Sequence, residues 1–303
     1  MNVKIIVAMC KNCGIGYHNN IPWSIKEDMS YFANKTGGIY AKFTKDINNN
    51  IPNNVKPNIK KNAIIMGKNT WMSLPTSKRP LKNRDNIILS TSMSETYPST
   101  NIDLTMYFSS ISRFYTYCYH SEGDNEDGNI YDINLLNDVG KYTQQEKREI
   151  NRNSTKLKTT SKYETIWVIG GAQIYNSFMN NGGKPDIIIE EYYITYIDNN
   201  YDCDIFFPVI KNINYYYISS FLKRECMDDK TNQCLPVYYI IFTLIDSETI
   251  DTIHRVDIQN NNGNNYYYFI KKELLYTKEL EHYITIDNID SFLWCVTLSH
   301  STF

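Results

Sequence analysis

Five short runs dense in β-branched and other apolar residues punctuate the chain: Val3 to Met9, Ala63 to Met66, Asn86 to Ser90, Thr165 to Ile169 and Ile187 to Ile194. They are near-continuously apolar rather than alternating, the pattern of strands covered on both faces in an α/β sheet. Helical patterns follow several of them. A further run, Val237 to Ile245, contains Tyr238, Tyr239 and Thr243 and is too short to span a bilayer, so it reads as one more strand. Three stretches are polar: Asn48 to Asn62, rich in Asn and Lys with Pro52 and Pro57; His120 to Ser161; and the Asn-rich Gln259 to Asn265. The first and third show no apolar periodicity and predict surface insertions, whereas the second has room for a short helix near Tyr142 to Ile150.

The first helix has an explicit start signal. Ser24 and Glu27 stand three apart, the spacing of a capping box in which each side chain satisfies a backbone N–H of the other, and Pro22 disfavours an earlier start. With Ser24 as N-cap, Asp28 falls in the first turn, where free N–H groups and the helix dipole favour an anion. Its neighbours Met29, Tyr31 and Phe32 are apolar or aromatic, so the carboxylate either faces an apolar wall or is an ordinary solvated first-turn acid. Two glycine turns follow strands and open helices: Met66-Gly-Lys-Asn-Thr-Trp71 and Ile169-Gly-Gly-Ala-Gln-Ile-Tyr175. In one sheet they give two helix N-termini able to hold the phosphates of a dinucleotide, although neither matches the Gly-x-Gly-x-x-Gly fingerprint or a P-loop.

Composition narrows the class. The 303 residues suit one large domain, or one domain with an appendage; Lys and Arg number 31 against 33 Asp and Glu, so a net charge of −2 gives no whole-molecule attraction to nucleic acid or anionic membrane. At 42% hydrophobic residues there is enough material for a packed core. The N-terminal segment Met1 to Cys10 lacks the cleavage region of a signal peptide and reads as the first strand of a cytoplasmic protein. Seven cysteines, an odd number scattered over a long chain, fit reduced thiols rather than a disulfide framework. Cys10-x-x-Cys13 has the spacing of a redox or zinc pair, but no second pair completes a zinc site, and no metal is expected.

In order, Gly14-Ile-Gly-Tyr-His-Asn-Asn-Ile-Pro-Trp23, Asp28-Met-Ser-Tyr-Phe32, Gly67-Lys-Asn-Thr-Trp-Met-Ser73, Arg79-Pro-Leu-Lys-Asn-Arg84, Ile87-Ile-Leu-Ser90, Val168-Ile-Gly-Gly-Ala-Gln-Ile-Tyr175 and Cys203-Asp-Ile-Phe-Phe-Pro208 resemble the motifs of the dihydrofolate reductase family. The likeness runs from about Val3 to Ile245, interrupted by the first two polar stretches. It implies an α/β fold with a central, mostly parallel, eight-stranded sheet whose C-terminal strand, near Val237 to Ile245, is antiparallel, flanked by helices. The expected reductase domain covers 1–246, with polar insertions at about 38–61 and 117–163 and an extension of unknown role at 247–303. The implied reaction is NADPH-dependent reduction of 7,8-dihydrofolate to 5,6,7,8-tetrahydrofolate, and the implied NADPH is the cofactor.

The resemblance also assigns roles. Asp28 pairs with the 2-amino group and adjacent nitrogen of the pteridine; burial raises its pKa and the helix N-terminus lowers it, and the sequence leaves open which wins. Thr195 bonds that carboxylate and a fixed water, Trp23 belongs to the loop that admits water, and Tyr175 lies near the nicotinamide. Ile6, Met29, Phe32, Leu74, Leu81 and Ile169 form apolar walls, and Arg84 clamps the substrate's glutamate carboxylate. Ala8, Ile15 and Gly16 orient the nicotinamide. Gly67, Lys68, Asn69, Thr70, Ser90, Thr91, Gly170, Gly171, Ala172, Gln173 and Ile174 hold the rest of the cofactor, and the Gly170-Gly171 peptide is expected to be cis. The chain departs from the family in having Asn69, Thr91 and Gln173 where many members are basic, which leaves less positive charge for the adenosine 2′-phosphate.

The tail predicts strands at Tyr266 to Ile270 and Phe292 to Leu298 and a helix around Lys272 to His282. It is too short for a thymidylate synthase and carries no Pro-Cys-His signature. Two other readings remain: a riboflavin-pathway type of reductase on the same fold, which does not explain Asp28 together with Arg84, and a non-catalytic nucleotide-binding or structural relative.

Overall fold

A computed structural model of the chain describes residues 1–50, 60–96, 104–118, 161–180, 187–259 and 265–276. It divides into two compact units, residues 1–111 with 163–303, and residues 112–162. The first unit is built on a ten-stranded sheet. In chain order its strands are β1 (Asn2–Cys10), β3 (Asn62–Gly67), β4 (Arg84–Leu89), β5 (Thr105–Phe108), β6 (Ile166–Gly170), β7 (Ile188–Ile197), β9 (Tyr216–Asp228), β10 (Gln233–Leu244), β11 (Ile253–Gln259) and β12 (Asn265–Lys271). A separate antiparallel ribbon joins β2 (Gly14–Gly16) to β8 (Ile205–Phe206). Helices α1 (Lys26–Asn50), α2 (Lys68–Ser73), α3 (Thr91–Thr96) and α5 (Ala172–Met179) complete this unit; α4 (Ile111–Cys118) supplies most of the described part of the second, where the Lys162 N–H bonds the Cys118 carbonyl at 3.2 Å.

Across the sheet the order is β11-β12-β9-β10-β7-β1-β6-β3-β4-β5. Every pairing from β7 through β5 is parallel, and β10 is antiparallel to both β7 and β9. The continuous apolar runs have the burial they predict: β4 is buried at every position, and β3 at all but its last. Because the parallel strands share one direction, the C-terminal ends of β3, β4 and β6 lie along one edge, and α2, α3 and α5 begin there. Such an edge, at the ends of parallel strands, is where ligands bind in open α/β sheets.

Four expectations change. First, the eight strands from β9 to β5 form the expected sheet, but β11 and β12 of the tail extend it to ten. Strand β12 runs parallel beside β9 through Phe269↔Tyr217 and Ile270↔Ile218, burying Ile270, and so covers an edge whose backbone groups β10 leaves unpaired. Second, the polar region expected from about 38 is helical as far as Asn50. Gly38 interrupts the helix with φ 62° and ψ −162°, and a Cβ there would stand 2.5 Å from Asn62 Nδ2. That nitrogen instead donates to the Thr36 carbonyl at 2.9 Å, taking up a group that the break frees. Third, the capping box does not form: the Ser24 N–H bonds Asp228 Oδ1 at 2.8 Å, the Ser24 carbonyl accepts from Asp229 N at 2.9 Å, and the helix starts at Lys26. Asp28 still falls in its first turn. Fourth, at Lys272–Tyr276 the expected tail helix is a short 3-10 turn. The expected helix at 142–150 and strand at 292–298 lie outside the described residues. Among the described residues no helix is long and apolar enough to cross a membrane, and no cluster of His, Cys, Asp and Glu is arranged to hold a metal.

Candidate active site

Helix α1 carries Asp28 against the sheet. Only 3% of the residue is exposed, and burial pushes its carboxyl up to about 6, with the Thr195 side chain hydrogen-bonding it and pulling the other way. Burial therefore outweighs the Thr195 hydrogen bond. Thr195 is buried on β7, where it stands beside Ala8 of β1 and Tyr239 of β10. One helical turn on, Phe32 joins Ile6, Leu74, Leu81 and Ile169 in a single apolar cluster with Trp71, Trp167 and Tyr193. These are five of the six expected wall residues. The sixth, Met29, is 45% exposed and stands outside that cluster.

Arg84 lies at the start of β4 and is 7% exposed. Its Nε donates to the Lys82 carbonyl at 3.0 Å and its Nη1 to the Thr36 hydroxyl. Among the described residues no carboxylate lies within ion-pair distance of it, and burial draws its guanidinium down to about 10, still charged at neutral pH. Asp85, its sequence neighbour, is instead taken by Lys61 and the Tyr163 hydroxyl. A buried guanidinium without an anion is costly unless one is supplied from outside. Thr36 was not visible as a site residue in the sequence. Its hydroxyl donates to the Phe32 carbonyl at 2.7 Å while accepting from Arg84, so the Gly38 break, Asn62 and Thr36 together position the Arg84 guanidinium.

The two glycine turns meet at the sheet edge, where Met66 pairs with Gly170. A Cβ on Gly67 would stand 3.1 Å from Ile174 Cγ1, and one on Gly171 3.3 Å from Thr70 Oγ1. Both glycines are N-caps without a side-chain cap, so among the described residues no side chain caps the first N–H groups of α2 and α5. This is a cradle of backbone donors suited to the two phosphates of a dinucleotide. Lys68 and Asn69 are exposed at the start of α2, Gln173 is exposed on α5, and Ser90 caps α3 by accepting the Met93 N–H at 3.3 Å, with Thr91 beside it. The Gly170-Gly171 peptide is cis, as the resemblance implies. Gly170 has φ 125°, and a Cβ there would lie 3.4 Å from the Tyr175 ring. Tyr175 is buried and donates to the Ile6 carbonyl at 2.8 Å, which joins the glycine turn to the apolar wall.

Ile15 and Gly16 lie on the β2–β8 ribbon. Asp204 holds the ribbon's far end: its N–H donates to Gly16 O at 3.0 Å and its Oδ2 accepts the His18 N–H at 3.0 Å. The hairpin beyond closes through Tyr17 and Asn20, with positive φ at His18 and Asn19. Trp23, at the loop's end, is 3% exposed and packs with Ala8, Cys10, Ile197 and Tyr239 rather than in the cluster around Phe32. Its buried Nε1 has no acceptor among the described residues. Asp228, absent from the expected site, anchors this end by accepting from Ser24 N, the Tyr201 hydroxyl, Lys230 N and the Thr231 hydroxyl. A signal for it existed only as an acid beside the β9–β10 turn. A groove of about 330 Å³ beside α1 is lined by Lys26, Glu27, Ser30, Tyr31, Asn34, Leu222, Arg224 and Tyr239; Tyr31 also packs against the wall cluster, and Tyr239 is the β10 neighbour of Thr195.

Comparison with known proteins adds an independent line. A family model described as dihydrofolate reductase matches residues 2–41, 44–122 and 136–243. Dihydrofolate reductase of Drosophila melanogaster is 30% identical over 210 residues, covering 69% of this chain and 81% of that protein. That of Gallus gallus is 28% identical over 215 residues, 69% of this chain and 79% of that protein, and that of Candida albicans is 31% identical over 191 residues, 63% and 68%.

Proposed function

The chain belongs to the dihydrofolate reductase family, and from that premise we propose that Asp28, Arg84 and the two glycine turns carry its reaction, the NADPH-dependent reduction of dihydrofolate to tetrahydrofolate. The observation that carries this reading is the buried Asp28 carboxylate, bonded by Thr195 and set beside an apolar wall.

Reducing the pteridine C=N bond needs a hydride on carbon and a proton on the adjacent nitrogen, and protonation makes that carbon more electrophilic. NADPH supplies the hydride. Asp28, ionised above about pH 6, accepts hydrogen bonds from the 2-amino group and neighbouring ring nitrogen, and its negative charge favours the protonated ring. Trp23 Nε1 and the Thr195 hydroxyl hold the water that relays the proton. Ile6, Phe32, Leu74, Leu81 and Ile169 cover the ring and its benzoyl extension, with Met29 at the rim; Arg84 takes the glutamate carboxylate. The Tyr175 hydroxyl, fixed on Ile6 O, and the backbone of Ala8, Ile15 and Gly16 would hold the nicotinamide and orient it for hydride delivery. Gly67, Asn69 and Thr70 on one turn and Gly170, Gly171, Ala172, Gln173 and Ile174 on the other would receive the two bridging phosphates, with Lys68, Ser90 and Thr91 at the adenosine 2′-phosphate.

We place the reductase domain at 1–246 with 247–303 as its extension. The near-balanced charge supports small-molecule rather than nucleic-acid partners, the free cysteines among the described residues support a reducing, cytoplasmic setting, and no thymidylate synthase signature occurs in these residues.

Protein mixed with dihydrofolate and NADPH should show loss of nicotinamide absorbance, blocked by a diaminopyrimidine antifolate; binding without turnover would contradict the reading. The pH dependence follows from Asp28. Its raised pKa means that the acceptor is lost as pH falls through about 6, so KM for dihydrofolate should climb about tenfold per pH unit below that point. A flat KM from pH 7 to pH 5 would remove Asp28 from the substrate site. Lys68→Ala is expected to weaken NADPH by about tenfold and NADH by less than about twofold, the scale of one charge-assisted contact to a phosphate. The unaltered protein should hold NADPH more tightly than NADH, and equal dissociation constants would contradict the 2′-phosphate assignment.

A further inference from the structure

We propose that Cys10 and Cys203 form a thiol pair that a small-molecule disulfide oxidises to an internal disulfide, displacing the active-site loop and slowing the enzyme. Cys10 and Cys13 have the spacing of a redox pair but read as two unrelated thiols at a strand end, and the structure faces Cys10 elsewhere: its Sγ lies 3.7 Å from Cys203 Sγ and donates to Asn12 Oδ1 at 2.8 Å. Cys10 is fully buried at the end of β1, whereas Cys203 is half-buried, so Cys203 is the thiol a reagent reaches first.

The reaction balances. The Cys203 thiolate attacks one sulfur of a disulfide RSSR and releases RS⁻; the Cys10 thiolate then attacks the sulfur of Cys203 and releases a second RS⁻. Two thiols lose two electrons and two protons, and RSSR becomes two RSH. Burial, and then the neighbouring Cys10, push the Cys203 thiol up to about 12, so the exchange is slow near neutrality and quickens as pH rises.

An S–S bond of about 2.05 Å requires the sulfurs to approach by roughly 1.7 Å. Cys10 is held in the sheet by its register with Ile197 of β7, whereas Cys203 sits in the connection leading to the two-residue β8, so Cys203 moves. That connection holds the loop. Cys203 Sγ would lie 2.3 Å from a Cβ at Gly14 of β2, Asp204 bonds Gly16 O and His18 N, and Phe207 N bonds Cys13 O at 2.9 Å. Both cysteines pack in the cluster that contains Trp23. Closing the pair shifts the ribbon bearing Ile15 and Gly16 and the packing around Trp23; this consequence rests on the roles proposed for those residues, whereas the disulfide itself does not.

The test uses the full chain, reduced and then incubated at about pH 8.5 with oxidised glutathione in large excess and for many hours, to offset the small thiolate fraction of Cys203. Alkylation and peptide mass mapping should find a Cys10–Cys203 cross-link with the loss of two hydrogens. Turnover should fall by about tenfold, the scale expected when a positioning loop shifts by about an ångström, and dithiothreitol should restore it. Cys203→Ser should match the reduced protein and ignore glutathione, Cys13→Ser should respond like the unaltered protein, and Cys10→Ala should stop at a glutathione adduct on Cys203. A Cys10–Cys13 cross-link, a lasting adduct in the unaltered protein, no reaction at either thiol, or a Cys10–Cys203 cross-link with full turnover would each overturn the proposal. Because mass reports the bond without reference to activity, failure of the pair and failure of the reductase reading are distinguishable.

Discussion

Replacing Asp28 by asparagine is expected to lower hydride transfer at neutral pH by about 100-fold or more, the scale of losing a positioned acid–base group. Asparagine keeps the shape of the side chain and one acceptor oxygen but lacks the charge that favours a protonated ring. The same change should raise the stability of the ligand-free protein. The folded-state pKa of Asp28 lies near 6 against an ordinary 3.8, so the folded chain holds this proton more tightly between those values and stability declines as pH rises through that window. For a shift of about two units at a fully buried carboxyl, the decline is of order 3 kcal/mol. Removing the charge should therefore recover about 1–3 kcal/mol above pH 7. Slower chemistry with a higher melting temperature separates a functional carboxylate from a structural one; stopped-flow single turnovers and thermal unfolding of both proteins check the two halves. Near-normal turnover in the variant would refute the assignment.

Arg84→Leu is expected to raise KM for dihydrofolate by about 100-fold with kcat changed little, because a bidentate charge-assisted pair contributes about 3 kcal/mol of binding. Arg84→Lys should recover only part of this, since a single ammonium cannot reproduce the planar fork. A pteridine substrate lacking the glutamate should be reduced equally well by all three proteins. The basis is the guanidinium's burial among Thr36 and Lys82 with no described carboxylate beside it. Steady-state kinetics with the two substrates settle the point, and an unchanged KM would mean that Arg84 only braces the wall.

Much of this was legible from local pattern. The runs at Val3, Ala63, Asn86 and Thr165 became strands because they are largely buried on both faces, a condition that writes itself into continuous apolar sequence; the Ile187 run opens on the exposed Ile188 and is buried from Tyr192 on. The glycine turns were legible because their positions leave no room for a side chain. Tertiary contacts decided what local pattern missed. Ser24 gives its backbone to a carboxylate 204 residues away, which overrides a helix-capping signal three residues long. The helix beyond Gly38 carries too many polar residues to announce itself, and the break itself is explained only by Asn62 packing against it. Strand β12 was visible as Tyr266 to Ile270, but its place beside β9 was not, because strand partners are chosen by long-range register. Thr36 and Asp228 act on Arg84 and the loop through hydrogen bonds that leave no sequence pattern.

The account depends on the protonation of one side chain, and carbon-13 NMR of labelled aspartate, with Asp28→Asn for assignment, reads it directly. The ligand-free protein should show one carboxyl titrating near pH 6, absent from the variant, that stays ionised across the neutral range once a folate analogue is bound. A resonance titrating near 4 with and without ligand would mean that Asp28 is an ordinary solvated acid and would contradict the central claim.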